Sequence, residues 1–179
     1  MAVSELVRAE LARHDWTVLR CVCGGSAEHL PLLFETLLTA ETPQDAFGYS
    51  LDGHVECDTV IDECTPPAVG VILAALAGEV SPTVRREFLD TLVRVSAGSD
   101  FSGAPSGDRM GDECRALAQE GFWVLLRIGL DGSAEDADAV ADICECFDLG
   151  DRKSAYYQAL LRDRVRARTK RRTALRRST

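Results

Sequence analysis

The fold of this 179-residue chain is decided by the stretch Ser81-Pro82-Thr83-Val84-Arg85-Arg86-Glu87-Phe88-Leu89-Asp90-Thr91-Leu92. Ser81 followed by Pro82 is a helix start signal, because a serine side chain accepts a hydrogen bond from a free backbone N–H and proline suits the first helical position. Apolar side chains then recur at steps of three and four residues: Val84, Phe88, Leu92 and Val95. This spacing places them on one face of a helix, so we predict a helix over Ser81–Val95.

The same pattern recurs along the chain, which indicates repeated helical hairpins. At a shift of 36 residues Leu30–Ala40 aligns with Pro66–Gly78, which predicts two equivalent first helices. At a shift of 39 residues Thr42–Leu51 aligns with Ser81–Val95, which predicts two equivalent second helices. A shift of 52 residues gives a third, more distant copy that ends near Phe147.

Helices are also predicted outside the repeats. Ser4–Arg13 would cover one end of the helical array, and a helix from about Asp151 would cover the other. One longer helix is predicted from the apolar spacing between Met110 and Ile128. The Gly/Ser/Pro-rich stretch Gly98–Asp108 is typical of a surface loop, and its composition does not decide between a recognition element and a spacer. Because no segment alternates convincingly with period two, we predict an all-α chain.

The Val84-Arg85 pair before an apolar stripe resembles the second helix of a HEAT repeat, and Pro31 and Pro67 resemble the proline of first helices in that family. This likeness to HEAT/armadillo proteins covers about residues 28–148, although the other two copies lack the Val-Arg pair. It implies a short right-handed α-solenoid of about three helical hairpins with capping helices at both ends. Protein binding is the commonest use of such folds, and the resemblance transfers no catalytic residue. An irregular helical bundle would satisfy the same periodicity.

Charge divides the chain into a predicted domain over 1–161 and a basic tail over 162–179. The tail holds nine basic residues and one acidic residue, whereas the rest of the chain holds 11 basic and 28 acidic residues. A body this acidic repels phosphate backbones, which argues against nucleic-acid binding through its main surface. The candidate tail residues are Arg164, Arg166, Arg168, Lys170, Arg171 and Arg172. Three interpretations of the tail stay open: solvated disorder, an arm for nucleic acid or another anionic surface, and a segment that folds back onto the acidic body.

Four carboxylates are spaced for one face of a helix in the third repeat. Their steps of three, four and three residues put them opposite the apolar side chains of the same segment. They are Glu135, Asp138, Asp142 and Glu145, which we call the acidic face. It is a candidate surface for a basic partner, and the alternative is a solvated face that keeps the protein soluble.

Seven cysteines and three histidines raise the question of a metal site. Both close cysteine pairs have one residue between them, whereas zinc sites usually use C-x-x-C spacing. A site could be drawn from Cys21, Cys23, His54 and Cys57, but the sequence does not justify assigning a metal or any other cofactor. Because no signal peptide or membrane-spanning run is visible, we expect a cytoplasmic location and no membrane partner, and therefore reduced cysteines.

Catalytic signatures are absent from the sequence. It contains no Walker loop, no His-Glu-x-x-His, no Gly-x-Ser-x-Gly and no dinucleotide-binding glycine motif. We therefore expect a non-enzymatic protein-binding module, of adaptor or immunity/antitoxin type, whose acidic face binds a basic protein or peptide. The alternatives are a nucleic-acid-associated factor that uses the Arg-rich arm and an enzyme with a small cryptic site in a helical solenoid. Two lysines against eighteen arginines suggest a high-GC bacterial source.

Overall fold

Helices dominate the chain, as the apolar periodicity predicts. A computed structural model describes residues 2–40, 42, 44–45, 47–100 and 109–176, without the side chains of 99–100 and 168–176. Within these residues there are eight helices: α1 Glu5–Ala12, α2 Leu30–Thr39, α3 Thr65–Leu76, α4 Pro82–Ser96, α5 Arg109–Glu120, α6 Phe122–Asp131, α7 Ala134–Glu145 and α8 Asp151–Arg176. They belong to two compact units, Met1–Ala118 and Gln119–Thr179.

The first unit is built on α1, α3 and α4. The Ser81 side chain caps α4 by accepting a hydrogen bond from the Val84 N–H at 3.3 Å, and proline follows as the start signal requires. The predicted apolar stripe of α4 is confirmed, because its side chains are buried. α3 packs against both α1 and α4. The Phe88 ring of α4 also lies 6.1 Å from the ring of Phe34 in α2, centroid to centroid.

A small sheet follows the helix α2, where no strand was predicted. It has the order β1-β2-β3, formed by β1 Glu56–Cys57, β2 Val60–Ile61 and β3 Ser99–Asp100. β1 and β2 are antiparallel and joined by Asp58 and Thr59, whose φ values are +49° and +69°. Two positive φ values suit the turn that connects twisted antiparallel strands in a two-residue hairpin. Glycine or asparagine usually occupies such positions, which is why this hairpin is hard to predict from sequence.

The second unit is a packing of α6, α7 and α8 around a shared core. α7 contacts both α6 and α8 extensively. A Cβ atom placed on Gly129 of α6 would lie 2.6 Å from Leu161 Cδ2 and 3.1 Å from Val140 Cβ, and both of those side chains are fully buried. Glycine at this position therefore lets the three helices approach closely.

Three predictions of local structure are wrong in the described residues. A second helix was expected over Thr42–Leu51, but its described residues, 42, 44–45 and 47–51, form turns, bends and irregular backbone. Thr65 before Pro66 has the same start signal as Ser81 before Pro82, which predicts Thr65 as an N-cap, but Thr65 is the first residue of α3 and Cys64 is the N-cap. The Thr65 hydroxyl donates instead to the Val55 carbonyl at 2.6 Å. The long helix expected between Met110 and Ile128 is broken at Gly121, which separates α5 from α6. Glycine has low helix propensity, and here it ends one helix and precedes the next.

The structure describes only part of the predicted loop and of the predicted tail. The only described parts of the predicted loop Gly98–Asp108 are Gly98 and β3, and residues 101–108 lie outside the described residues. The division into a domain over 1–161 and a tail over 162–179 stays a prediction, although α8 passes residue 162 without a break. Among the described helices, none is both long and apolar enough to cross a membrane.

Candidate functional site

The acidic face lies on α7, whose start is fixed by a reciprocal cap. The Ser133 hydroxyl accepts a hydrogen bond from the Asp136 N–H at 3.0 Å, and the Asp136 carboxylate accepts one from the Ser133 N–H at 2.7 Å. Both bonds satisfy backbone donors that have no partner within the helix. The capping carboxylate, Asp136, is not one of the four acidic-face residues, and those four lie on the outer side of α7.

The two sides of α7 divide as the sequence spacing predicts. Val140 and Cys144 of α7 are buried, and so is Phe147, two residues after the end of the helix. The exposed fractions of the Asp138, Asp142 and Glu145 side chains are 56%, 46% and 58%. Glu135, one turn earlier, is exposed as well.

Three carboxylates of the acidic face bind one guanidinium group. Arg162 of α8 donates hydrogen bonds of 2.7 Å to each of Asp138, Asp142 and Glu145. Hydrogen bonds to Glu145 and Asp142 raise the pKa of Arg162 further above its ordinary value, so the group stays charged. One positive charge against three negative charges leaves the acidic face with an excess of negative charge.

The predicted tail begins with this contact. Arg162 is the first residue of the predicted tail, and it contacts the acidic face from α8. The three interpretations of the tail as a whole stay predictions. Arg164 and Arg166 further along α8 are exposed, and Arg166 pairs with Asp163 of its own helix at 3.8 Å. The backbone is helical to Arg176. The side chains of Arg168, Lys170, Arg171 and Arg172 lie outside the described part of the chain.

An aromatic cluster lies between α6 and α8 in the same unit. The exposed fractions of Trp123 and Tyr156 are 63% and 64%. Tyr157 joins them, because its ring centroid lies 5.2 Å from that of Phe122 and 6.1 Å from that of Trp123. The Lys153 ammonium lies 4.6 Å from the Phe122 centroid and 5.4 Å from the Trp123 centroid. This surface combines exposed aromatic area with a demonstrated cation contact.

A second group of side chains comes together in the first unit. Its potential ligand atoms all lie within 4.8 Å of one another, and they belong to Cys21, Cys23, His29 and His54. The two histidine nitrogens, Nε2 of His29 and Nδ1 of His54, are 2.9 Å apart. The Cys21 sulfur lies 3.8 Å from the first nitrogen and 3.9 Å from the second. We call these four residues the Cys/His cluster.

The Cys/His cluster differs from the quartet drawn from the sequence by one residue. The structure brings Cys21, Cys23 and His54 together, but the fourth member is His29, while Cys57 is exposed on β1 and is not part of the group. His29 immediately precedes α2, and its spacing from the cysteine pair is C-x-C-x₅-H. That spacing is the sequence signal for His29, and the quartet drawn from the sequence lacks this residue.

Burial controls protonation in the Cys/His cluster. Burial raises the pKa of the Cys21 thiol to about 12. Burial, and then the charge of His29, lowers the pKa of His54 below its ordinary value. A neutral imidazole at neutral pH has a lone pair available for a metal ion, whereas the thiol has to lose its proton when it binds one.

Comparison with known proteins gives no match. No protein-family model, no curated protein and no solved structure matches the chain.

Proposed function

We propose that this chain is a non-enzymatic protein-binding module whose acidic face receives a basic protein or peptide. The observation that carries the proposal is the binding of one guanidinium by three carboxylates of α7, at 2.7 Å each. These carboxylates are spaced so that a planar group with several N–H donors reaches all of them. Arginine of a partner would meet the same arrangement.

The acidic face remains accessible while Arg162 is bound. Roughly half of each carboxylate side chain is still exposed, so a partner could add cations without first removing Arg162. Residues 119–161 carry nine acidic and three basic residues, which extends the negative potential around the face. Such a field speeds the encounter with a basic partner and weakens as salt screens it.

The aromatic cluster supplies an apolar anchor in the same unit. Tryptophan and tyrosine contribute a large share of binding energy in protein interfaces. Here the cluster already holds the Lys153 ammonium over two rings. A partner with interspersed basic and apolar side chains fits both surfaces better than a purely cationic one.

The proposed scaffold is a short α-solenoid, and consecutive helix pairs support it. α3 packs on α4 in the first unit, and α6 packs on α7 in the second. These two pairs are the second and third predicted hairpins. In solenoids, neighbouring hairpins stack and leave extended surfaces for partners.

Binding of a short fluorescein-labelled, arginine-rich peptide tests the acidic face directly. We would measure its fluorescence anisotropy at low and high salt with the native chain and with a variant in which all four acidic-face residues become Ser. The matched control replaces four exposed glutamates of the first unit by Ser: Glu28, Glu35, Glu79 and Glu113. Both variants change the net charge equally. The proposal requires much weaker binding by the acidic-face variant only, and equal losses in the two variants would contradict it.

The alternative is a nucleic-acid-associated factor that uses the basic end of α8. It draws support from the exposure of Arg164 and Arg166 on a continuous helix. A chain ending at Asp163 retains Arg162 and the acidic face but lacks the remaining basic residues. Loss of binding to labelled duplex DNA or RNA on this truncation, with peptide binding preserved, would favour the alternative.

A further inference from the structure

We propose that the Cys/His cluster is a structural zinc site, with Cys21, Cys23, His29 and His54 as its four ligands. The geometry is the first argument. Tetrahedral zinc with bonds of about 2.3 Å to sulfur and about 2.0–2.1 Å to nitrogen separates sulfur from nitrogen by about 3.6 Å and two nitrogens by about 3.3 Å. The Cys21 sulfur lies 3.8 and 3.9 Å from the histidine nitrogens, which are 2.9 Å apart. The Cys23 sulfur also lies within 4.8 Å of each of the other three ligand atoms, so all four are close enough together to surround one ion.

The backbone around Cys21 is arranged for a metal-bound thiolate. The Cys21 N–H donates to the Gly25 carbonyl at 2.8 Å, and the Gly24 N–H donates back to the Cys21 carbonyl at 2.9 Å. Gly24 has φ +90°, which favours glycine, and this turn returns Cys23 towards Cys21. The Cys23 N–H then donates to the Cys21 sulfur at 3.4 Å. Hydrogen bonds of this kind stabilise the negative charge of a thiolate.

Loss of the Cys21 thiol proton leaves no buried acceptor unsatisfied. The Cys21 thiol donates to the His54 carbonyl at 3.2 Å. The same carbonyl also accepts from the Val22 N–H at 3.3 Å and from the Cys64 thiol at 3.5 Å. A carbonyl has two lone pairs, so these two donors satisfy it once Cys21 is deprotonated.

The donor set identifies the class of metal and its role. Two sulfurs and two imidazole nitrogens in a tetrahedron are typical of zinc among the common divalent cations. Four protein ligands leave no position for substrate, which indicates a structural ion. The ion would join three segments: the turn 21–25, the residue before α2, and the loop around His54 that leads into β1. These segments contain little regular secondary structure, so a crosslink there contributes directly to folding.

Metal content and cobalt substitution test this site independently of any partner. The full chain would be purified under reducing conditions without a polyhistidine tag, and its bound metals measured by mass spectrometry. We expect one zinc per chain. Replacement by Co²⁺ should give the visible absorption of tetrahedral cobalt together with sulfur-to-cobalt charge transfer. A chain that retains no stoichiometric zinc and gives no tetrahedral cobalt spectrum would overturn the proposal, as would stoichiometric binding of another metal.

Two exposed cysteines make matched variants. Cys23 belongs to the cluster and Cys57 does not, and neither lies in the core, so Cys23→Ser and Cys57→Ser should both fold. Removal of a residue that only hydrogen-bonds to a metal ligand lowers metal affinity by about 10–100-fold. Cys23 is itself a proposed ligand, so we expect Cys23→Ser to lower zinc affinity by more than about 100-fold. Cys57→Ser should bind zinc as the native chain does. Equal affinities of the two variants would refute the ligand assignment, and His29→Gln provides a second ligand variant.

Discussion

Replacement of Arg162 by Ala should strengthen the binding of a basic peptide to the acidic face. In the native chain the Arg162 guanidinium occupies Asp138, Asp142 and Glu145 at 2.7 Å each. Arg162→Ala removes this internal cation and leaves all three carboxylates for the peptide. If the acidic face is the binding surface, an arginine of the peptide takes the vacated position.

The size of the effect follows from the exposure of the three carboxylates. Each is about half exposed, so solvent screens each pair, and exposed pairs contribute about 0.2–1 kcal/mol. We take about 1 kcal/mol for the whole arrangement, which corresponds to about a fivefold lower Kd for the peptide. The same substitution should lower the Tm of the free chain by about 2–4 °C, because the α7–α8 contact loses its ion pairs.

Arg166→Ala is the matched control for this experiment. Arg166 lies on the same helix, and its substitution changes the net charge by the same amount, but its contact is with Asp163 of its own helix. Fluorescence anisotropy with the labelled peptide at low salt should show a lower Kd for Arg162→Ala than for Arg166→Ala. Equal Kd values would mean that the peptide gains only from the change in net charge, and they would refute the competition between Arg162 and the peptide for these three carboxylates.

Four further substitutions should change stability, each measured by urea unfolding. Gly129→Ala should lower the free energy of unfolding by about 1–2 kcal/mol, because the added methyl group has no room among α6, α7 and α8. Gly70→Ala in α3 should raise the free energy of unfolding by up to about 1 kcal/mol, because only the end of a flexible glutamate side chain is near. Thr59→Gly should raise it by about 1 kcal/mol, because a β-branched residue is strained at φ +69°; an unchanged midpoint would contradict the strain. Arg94→Met should lower the free energy of unfolding by about 3 kcal/mol at pH 7.5, because buried Glu56 loses its ion pair. The loss should be smaller at pH 5, because burial raises the pKa of Glu56 and the carboxylate takes up a proton as the pH falls. Equal losses at both pH values would exclude this explanation.

Helices with complete sequence signals could be predicted well. Ser81, Pro82 and the apolar stripe after them specify the start, the period and the buried face of α4, and the structure has all three. The same holds for α7, where the spacing of four carboxylates predicts an outer face. These are local properties, because each depends on neighbours within a few turns of one helix.

Contacts between distant segments could not be predicted in the same way. Arg162 lies 17 to 24 residues from its three partners, and no sequence pattern indicates which arginine of the basic stretch makes the contact. His29 and His54 are 25 residues apart and meet only because the chain between them turns back. The helix predicted over Thr42–Leu51 was wrong for a related reason, since a weak alignment with α4 suggested a repeat, whereas the residues described there form turns, bends and irregular backbone.

The short distance between the two imidazoles makes this corner of the first unit sensitive to acid. Below pH 6.5 the His54 ring protonates readily in the unfolded chain, but in the folded chain its pKa is lowered by burial and by the His29 charge. The unfolded state therefore binds more protons, and the free energy of unfolding falls as the pH falls through this window. A proton on Nδ1 of His54 would face the His29 nitrogen at 2.9 Å and would compete with any cation held between them. Acidification should therefore loosen the entry into α2 and the loop before β1 ahead of the helices in the core.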